Sequence, residues 1–239
     1  MVVNRYYAWG IRIAMRKILF ASTILLGFAD ASFAADALAP QTTPEYSWSG
    51  IYVGADAGYA WGSSKQNFDG LDYNVPLDPK GGFGGLYAGY NYALSNGIVL
   101  GVEGDFNFSN VDAHDVRGIS AGAEDPTFAY GSDLKWTGSL RGRLGYAVGQ
   151  FLPFVTGGLA VGRYEISQTA SDPYSHADTF NGWTVGAGMD YAMTDHLMLR
   201  AEYRYTDFGD KHIDDIPDWT NQKVDLSTND VRIGIAYKF

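Results

Sequence analysis

No cysteine occurs among the 239 residues, so neither a disulfide framework nor a thiolate metal site is available to this chain. Basic residues are scarce as well. Lys and Arg number 17 against 27 Asp and Glu, a formal net charge of −10, whereas a nucleic-acid-binding surface needs a basic patch. Beyond residue 34 no uninterrupted apolar run is long enough for a transmembrane helix. Proline is modest, with 8 residues. Glycine (30), tyrosine (17) and phenylalanine (13) are abundant, a composition too aromatic for a disordered chain and well suited to strands.

The amino terminus has the features of an export signal. Arg16 and Lys17 form a basic region, Ile18 to Phe28 is an apolar stretch too short to span a bilayer, and Ser32-Phe33-Ala34 offers small residues for cleavage. Residues 1–34 are therefore expected to be a signal peptide. Met15, immediately before the basic pair, is the more natural start, with 1–14 then a misassigned upstream extension; a long basic region beginning at Met1 is the alternative. Residues 35–47, with Pro40 and Pro44 and no periodicity, are expected to form a flexible periplasmic tether ahead of a barrel domain at 48–239.

From Ile51 onward, apolar and small-or-polar residues alternate in eight segments. Side chains switch face at every residue of a strand, so each segment has an apolar and a polar side. The first places Ile51, Val53, Ala55, Ala57, Tyr59 and Trp61 opposite Tyr52, Gly54, Asp56, Gly58 and Ala60. The eighth places Val231, Ile233, Ile235, Tyr237 and Phe239 opposite Arg232, Gly234, Ala236 and Lys238. The fifth is the least regular: Arg163 and Tyr164 break its phase, which suggests a bulge. The breaks between segments alternate short and long. Ser95-Asn96-Gly97 and Thr194-Asp195-His196 are tight turns, while every second connection exceeds about a dozen residues, unusual in a compact domain.

Alternation alone does not separate a soluble sandwich from a membrane barrel. Two regularities do. With the amino end in the periplasm, Tyr59, Trp61, Phe106, Phe108, Trp136, Trp183, Tyr203 and Tyr205 fall near one rim. Tyr90, Tyr92, Tyr146, Tyr191, Tyr237 and Phe239 fall near the other, with aliphatics such as Leu140 and Ile233 between them. Two aromatic belts around an aliphatic band match the two interfaces of a bilayer. The opposite face collects Asp56, Glu103, Asp105, Asp190 and Glu202 with Arg141, Arg143, Arg200, Arg204 and Arg232. A narrow lumen demands such a balance of signs, since an unpaired buried charge is costly. The expected fold is all-β, an eight-stranded antiparallel up-and-down transmembrane β-barrel.

The run Tyr46-Ser47-Trp48-Ser49-Gly50-Ile51-Tyr52-Val53-Gly54 leads to Ala57-Gly58-Tyr59-Ala60-Trp61-Gly62. Together with Thr137 to Tyr146, Gly182 to Gly188 and Val231 to Phe239, it resembles the small outer-membrane β-barrel surface antigens of alpha-proteobacteria, related in fold to the OmpA and OmpX barrels. The resemblance implies an eight-stranded barrel in the outer membrane with envelope-structural and surface-exposed roles. It implies Phe239 as the signal read by the outer-membrane assembly machinery. It implies outer-membrane lipid and lipopolysaccharide as surroundings, and no peptidoglycan-binding domain is expected.

No catalytic, cofactor or metal site is expected. Glu103 and Asp105 share a face at strand spacing and could do acid–base work, but a salt-bridge plug is the simpler reading. His114, His176, His196 and His212 are scattered over loops and a turn, not clustered as a metal site requires. Gly81-Gly82-Phe83-Gly84-Gly85 is read as strand entry, since no helix follows it to supply amide donors. Asp112, Asp115, Glu124, Asp125 and Asp133 crowd one long connection, and Asp210, Asp214, Asp215, Asp218 and Asp225 another. These are a solvated surface, or a rim for divalent cations or a host or partner protein. The expected function is that of a structural, surface-exposed outer-membrane protein with no reaction of its own. A narrow porin, an outer-wall lipid-modifying enzyme and a soluble ligand-binding calyx are the alternatives.

Overall fold

The computed structural model describes residues 46–68, 73–120, 122–169, 174–213 and 222–239. The expected signal peptide, residues 35–45 of the expected tether, and Asp214, Asp215 and Asp218 lie outside them. The elements are β1 (Gly50–Phe68), β2 (Tyr73–Leu77), β3 (Lys80–Ala93), β4 (Ile98–Ser120), β5 (Ala123–Tyr146), β6 (Phe151–Thr169), β7 (Tyr174–Ala192), β8 (Leu197–Ile213) and β9 (Gln222–Lys238). All pairings are antiparallel: β2 and β3 each pair with β1 and β4, β4 to β9 pair in sequence order, and β1 also pairs with β9. That last pairing closes the sheet into a ring and removes its edges, the arrangement that satisfies every backbone group of a membrane-crossing sheet.

Among the described residues nine strands build eight staves. Above Trp61, β1 leaves β3 and pairs with β2, Ser64 facing Leu77, while Tyr73 of β2 faces Ser120 of β4. β2 thus continues β3's place in the ring past the break at Asp78 and Pro79. Proline has no N–H to offer the ladder, and its carbonyl instead accepts from the Gly62 N–H at 2.8 Å.

At the near end the turns are tight, as expected. Leu94 N–H donates to Ile98 O at 2.7 Å around Gly97, whose φ of 85° suits glycine, and Met193 N–H donates to Leu197 O at 2.9 Å. The long connections differ from expectation. Much of their length is strand: β4 and β5 stay paired from Ile98–Tyr146 to Ser120–Ala123, and β6 and β7 from Phe151–Tyr191 to Gln168–Tyr174. His114 and His176 consequently lie on β4 and β7, not in loops. From Phe108 to Ser120, at about 3.4 Å per residue and a tilt near 40°, β4 rises roughly another 30 Å beyond the aromatic rim. We call the lower part of the barrel the belt and this upper part the collar.

In β6 no phase break occurs. Leu159 points out, Ala160 in, Arg163 out, Tyr164 in, and the register with β7 runs without a shift. What changes at Arg163 is the chemistry of each face. The bulge sits across the ladder on β5, where Lys135 is the extra residue between Leu134 and Trp136.

Candidate functional site

Outside, the belt is greasy. Ile233 (72%), Leu159 (71%) and Leu140 (62%) stand far out of the wall, and Tyr59, Trp61, Trp183, Tyr203, Tyr146, Tyr191 and Tyr237 are exposed at the two rims. Trp136 is half-buried and stacks on Phe106, ring centroids 5.4 Å apart. A water-soluble protein does not expose a continuous apolar girdle of this size.

Inside, the structure brings together all ten lumen charges foreseen from the alternation. Register sets the first contacts: Glu103 lies directly opposite Arg141, Asp190 opposite Arg200, and Glu202 opposite Arg232. Bonds across the lumen then join the pairs. Arg141, only 1% exposed, donates through Nη1 to Glu202 at 2.5 Å and to Thr156 at 2.9 Å, and through Nη2 to Glu103 and Asp105. Arg200 donates to Glu103 at 2.6 Å and to Asp190 at 2.8 Å. Arg204 bridges Asp105 at 3.1 Å and Glu202 at 3.4 Å. Arg143 donates to Asp190 and lies 3.8 Å over the Phe154 ring, and the Tyr52 hydroxyl donates to Glu103 at 2.7 Å.

The sequence reading missed one member. Asp230 lies opposite Arg204 and accepts from Arg232 at 2.8 Å, while Arg232 also reaches Asp56 at 3.1 Å. The signal was there: Asp230 stands two residues before Arg232 and so shares its face. Lys238 is buried lower down, its Nζ donating to Ser47 O at 2.8 Å. Among the described residues the buried charged groups then comprise six acids and six bases. The interior is neutral.

Above and below this layer the interior turns apolar. On the collar side Val111, Leu134, Tyr164, Ile166, Phe180, Phe208, Val224 and Leu226 form a buried cluster. Burial lifts the Tyr164 hydroxyl above the ordinary tyrosine range. The collar's outer wall is polar, with Arg163 exposed and Glu165 accepting from Ser175 at 2.7 Å, a bond that holds its carboxyl below the usual carboxylate range. On the near side Trp48, Tyr52, Tyr87, Val99, Leu152 and Met198 close the lumen. Tyr46 and Ser47, expected to be a flexible end of the tether, are docked instead. Tyr46 packs edge-on to Trp48 with centroids 4.7 Å apart, and the Trp48 indole donates to Gly149 O at 3.2 Å. Burial pushes the Tyr46 hydroxyl up to about 12.

Packing this tight requires glycine at chosen points. A Cβ on Gly54 would fall 2.5 Å from the Tyr87 ring, and one on Gly89 would collide with the Tyr52 hydroxyl. Between the ionic layer and the collar core remains a cavity of about 30 Å³, bordered by Asp105, Arg204, Asp230 and Phe208. That is room for a water molecule or two, not for a solute. Among the described residues no group of three or more His, Asp or Glu is placed to hold a metal ion. His114 pairs with Asp112 at 3.2 Å, and His196 stacks on Tyr237.

An apolar girdle outside a closed ring, with its ions inside, defines an integral membrane β-barrel. Comparison with known proteins makes this specific. Residues 22–239 match the outer membrane protein beta-barrel domain, and the chain belongs to that family. It is 38% identical to the 31 kDa outer-membrane immunogenic protein of Brucella melitensis, over 94% of this chain and all of that one. It is 33% identical to the 25 kDa outer-membrane immunogenic protein of Brucella abortus, over 94% and 99%. The 22 kDa outer membrane protein of Rhizobium leguminosarum is 36% identical over 82% and 80%. Among solved structures, Neisserial surface protein A aligns with a TM-score of 0.42 at 19% identity, covering 80% of this chain and 98% of that one. This is an outer-membrane protein of the surface-antigen type.

Proposed function

We propose that the protein is a structural and surface-displaying component of the outer membrane with no reaction of its own, contributing to envelope integrity through a sealed, rigid barrel. The observation that carries this is the filled lumen: an ionic layer between two apolar plugs, with a cavity of only about 30 Å³. Eight staves give an interior that side chains can fill completely. The carboxylates that could serve as acid or base are instead held by arginines. In planar bilayers the purified protein should give no discrete conductance steps, and regular steps would favour the narrow-pore alternative. Deleting the gene should raise sensitivity to bile salts and to chelators, and unchanged sensitivity would count against the integrity role.

The collar is the surface we assign to partners. The sequence stretches 62–80, 109–135, 162–182 and 206–229 hold seventeen Asp and Glu against seven Lys and Arg, a difference equal to the whole chain's net charge of −10. Divalent cations linking lipopolysaccharide phosphates, or a basic partner protein, suit such a surface. Phe239, 70% exposed after β9, is the residue we assign to recognition by the assembly machinery, since little inside the barrel depends on it. Phe239→Ala should lower the yield of folded protein in the membrane while leaving the heat stability of the folded fraction unchanged.

A further inference from the structure

At the near rim the chain itself ties the staves together in pairs. β3 and β4 are joined at Leu94–Ile98, β5 and β6 at Val148–Phe151, and β7 and β8 at Met193–Leu197, with closing backbone hydrogen bonds of 2.7, 2.8 and 2.9 Å. β9 and β1 form the closing seam of the ring, and as the last and first strands they share no such turn. What holds the near end of that seam is the segment ahead of β1.

This segment, residues 46–49, is fastened on both sides of the mouth. At the seam, Lys238 Nζ donates to Ser47 O at 2.8 Å and lies 4.8 Å from the centre of the Tyr46 ring, while Phe239 N–H donates to Ile51 O at 3.0 Å. Ser49 Oγ accepts from Ala93 N–H at 2.9 Å, beside the β3–β4 turn. The Trp48 indole donates to Gly149 O at 3.2 Å in the β5–β6 turn. In the order of staves that turn lies diametrically opposite the β1–β9 seam, so Trp48 crosses the mouth. It is only 2% exposed, and its buried cluster draws on β1, β3, β4, β6, β7, β8 and β9, with Ala147 after β5 packed alongside.

We propose that residues 46–49 are a latch on the closing seam, so that β1 and β9 separate at the near end only when Trp48 leaves the mouth. Lys238 couples the two events. It lies opposite Tyr52 in the seam ladder and is 9% exposed, and among the described residues both groups that receive its ammonium, Ser47 O and the Tyr46 ring, belong to the latch. Undocking the latch strands a buried cation, and peeling the end of β9 into water relieves it. In the other direction, Gly50 fixes the latch to β1, and Trp48 meets Gly149 across the mouth only when the ring is closed. The contacts therefore form with closure and are absent from an open ring, which makes them act on the rate of opening more than on the rate of closing. The assignment stands whether or not the lumen conducts.

The test uses the full chain folded in lipid vesicles, with unfolding in concentrated urea followed as loss of heat-modifiable gel mobility. Trp48→Ala should speed unfolding about tenfold or more. Loss of packing alone would do the same, so the deciding measurement repeats it with the seam tied. Ala55→Cys and Ile235→Cys face each other across β1 and β9 in a chain without other cysteines, and a short bis-maleimide joins them. In the tied barrel Trp48→Ala should unfold no faster than the tied parent. The same link between Leu100→Cys and Leu144→Cys, across β4 and β5, should leave the acceleration intact. If Trp48→Ala does not fold, Lys238→Met carries the same comparison. Three results overturn the latch: unfolding at the parent rate without any link, an acceleration that survives the seam link, or one abolished equally by the β4–β5 link.

Discussion

Belt and collar are made of the same strands in the same alternation, yet they are opposite molecules. In β6 Leu159 faces out over Ala160, while two repeats of the pleat higher Arg163 faces out over Tyr164. In β8 Arg200, Glu202 and Arg204 face in, and then Phe208, still in phase, faces in as an apolar core residue. The wall does not change at that height; the solvent does. Hydrocarbon around the belt favours apolar side chains outside and leaves the ions to one another within, whereas water around the collar restores the usual arrangement. Backbone pairing runs from belt into collar between β4 and β5, β5 and β6, β6 and β7, β8 and β9, and β9 and β1, while β7 and β8 part at Trp183–Asp207.

Breaking the belt's interior should have the largest effect. Arg141→Ala leaves Glu103, Asp105 and Glu202 without their shared cation, and removing one partner of a buried ionic group costs about 3–5 kcal/mol. Urea unfolding in lipid vesicles should register a loss of that order. Phe208→Ala opens the collar core at a comparable cost, about 3–5 kcal/mol. Here hydrogen exchange should quicken in the collar ends of β8 and β9 while the belt amides stay protected.

Matched substitutions on the outer wall sharpen the contrast. Ile233→Arg places a cation in the apolar girdle and should destabilise the folded barrel by about 2–4 kcal/mol. Asn181→Arg, on the exposed face just above Trp183, should change stability by no more than about 0.5 kcal/mol. Similar losses for both would mean that the two regions meet the same solvent. A smaller effect concerns alkali. The Tyr164 hydroxyl titrates higher folded than unfolded, so its contribution is complete below pH ~10 and declines as pH rises past that value. Circular dichroism of the collar variant Tyr164→Phe should show reduced sensitivity to alkali compared with the parent.

The belt was legible in the sequence because its two faces differ in chemistry at every step, so Asp56, Glu103, Arg141, Arg200 and Glu202 could be assigned inward by counting in twos. The collar was not, for a physical reason. Arg163 and Tyr164 keep phase but exchange chemistry, and a reader following polarity instead of parity sees a break. The stretches beyond Phe108 then pass for loop, although Leu134, Tyr164, Ile166, Phe208, Val224 and Leu226 continue the inward series. Asp230 was overlooked for the same reason, lying where the apolar outward residues give out. Lys135 was illegible on any pattern, since a bulge is visible only against the partner strand. The docking of Tyr46 and Trp48 depends on Gly149 and Lys238, far away in sequence, and no local periodicity announces it.

The most direct test follows one strand across the boundary. The chain has no cysteine, so single-cysteine variants at Val155, Leu159, Arg163 and Glu165 can each carry one nitroxide label on the outer face of β6 in lipid vesicles. Relaxation by oxygen, which concentrates in lipid, should dominate at 155 and 159, and relaxation by a water-soluble nickel chelate should dominate at 163 and 165. Nickel access at Leu159 equal to that at Glu165 would contradict a wall that changes solvent between them.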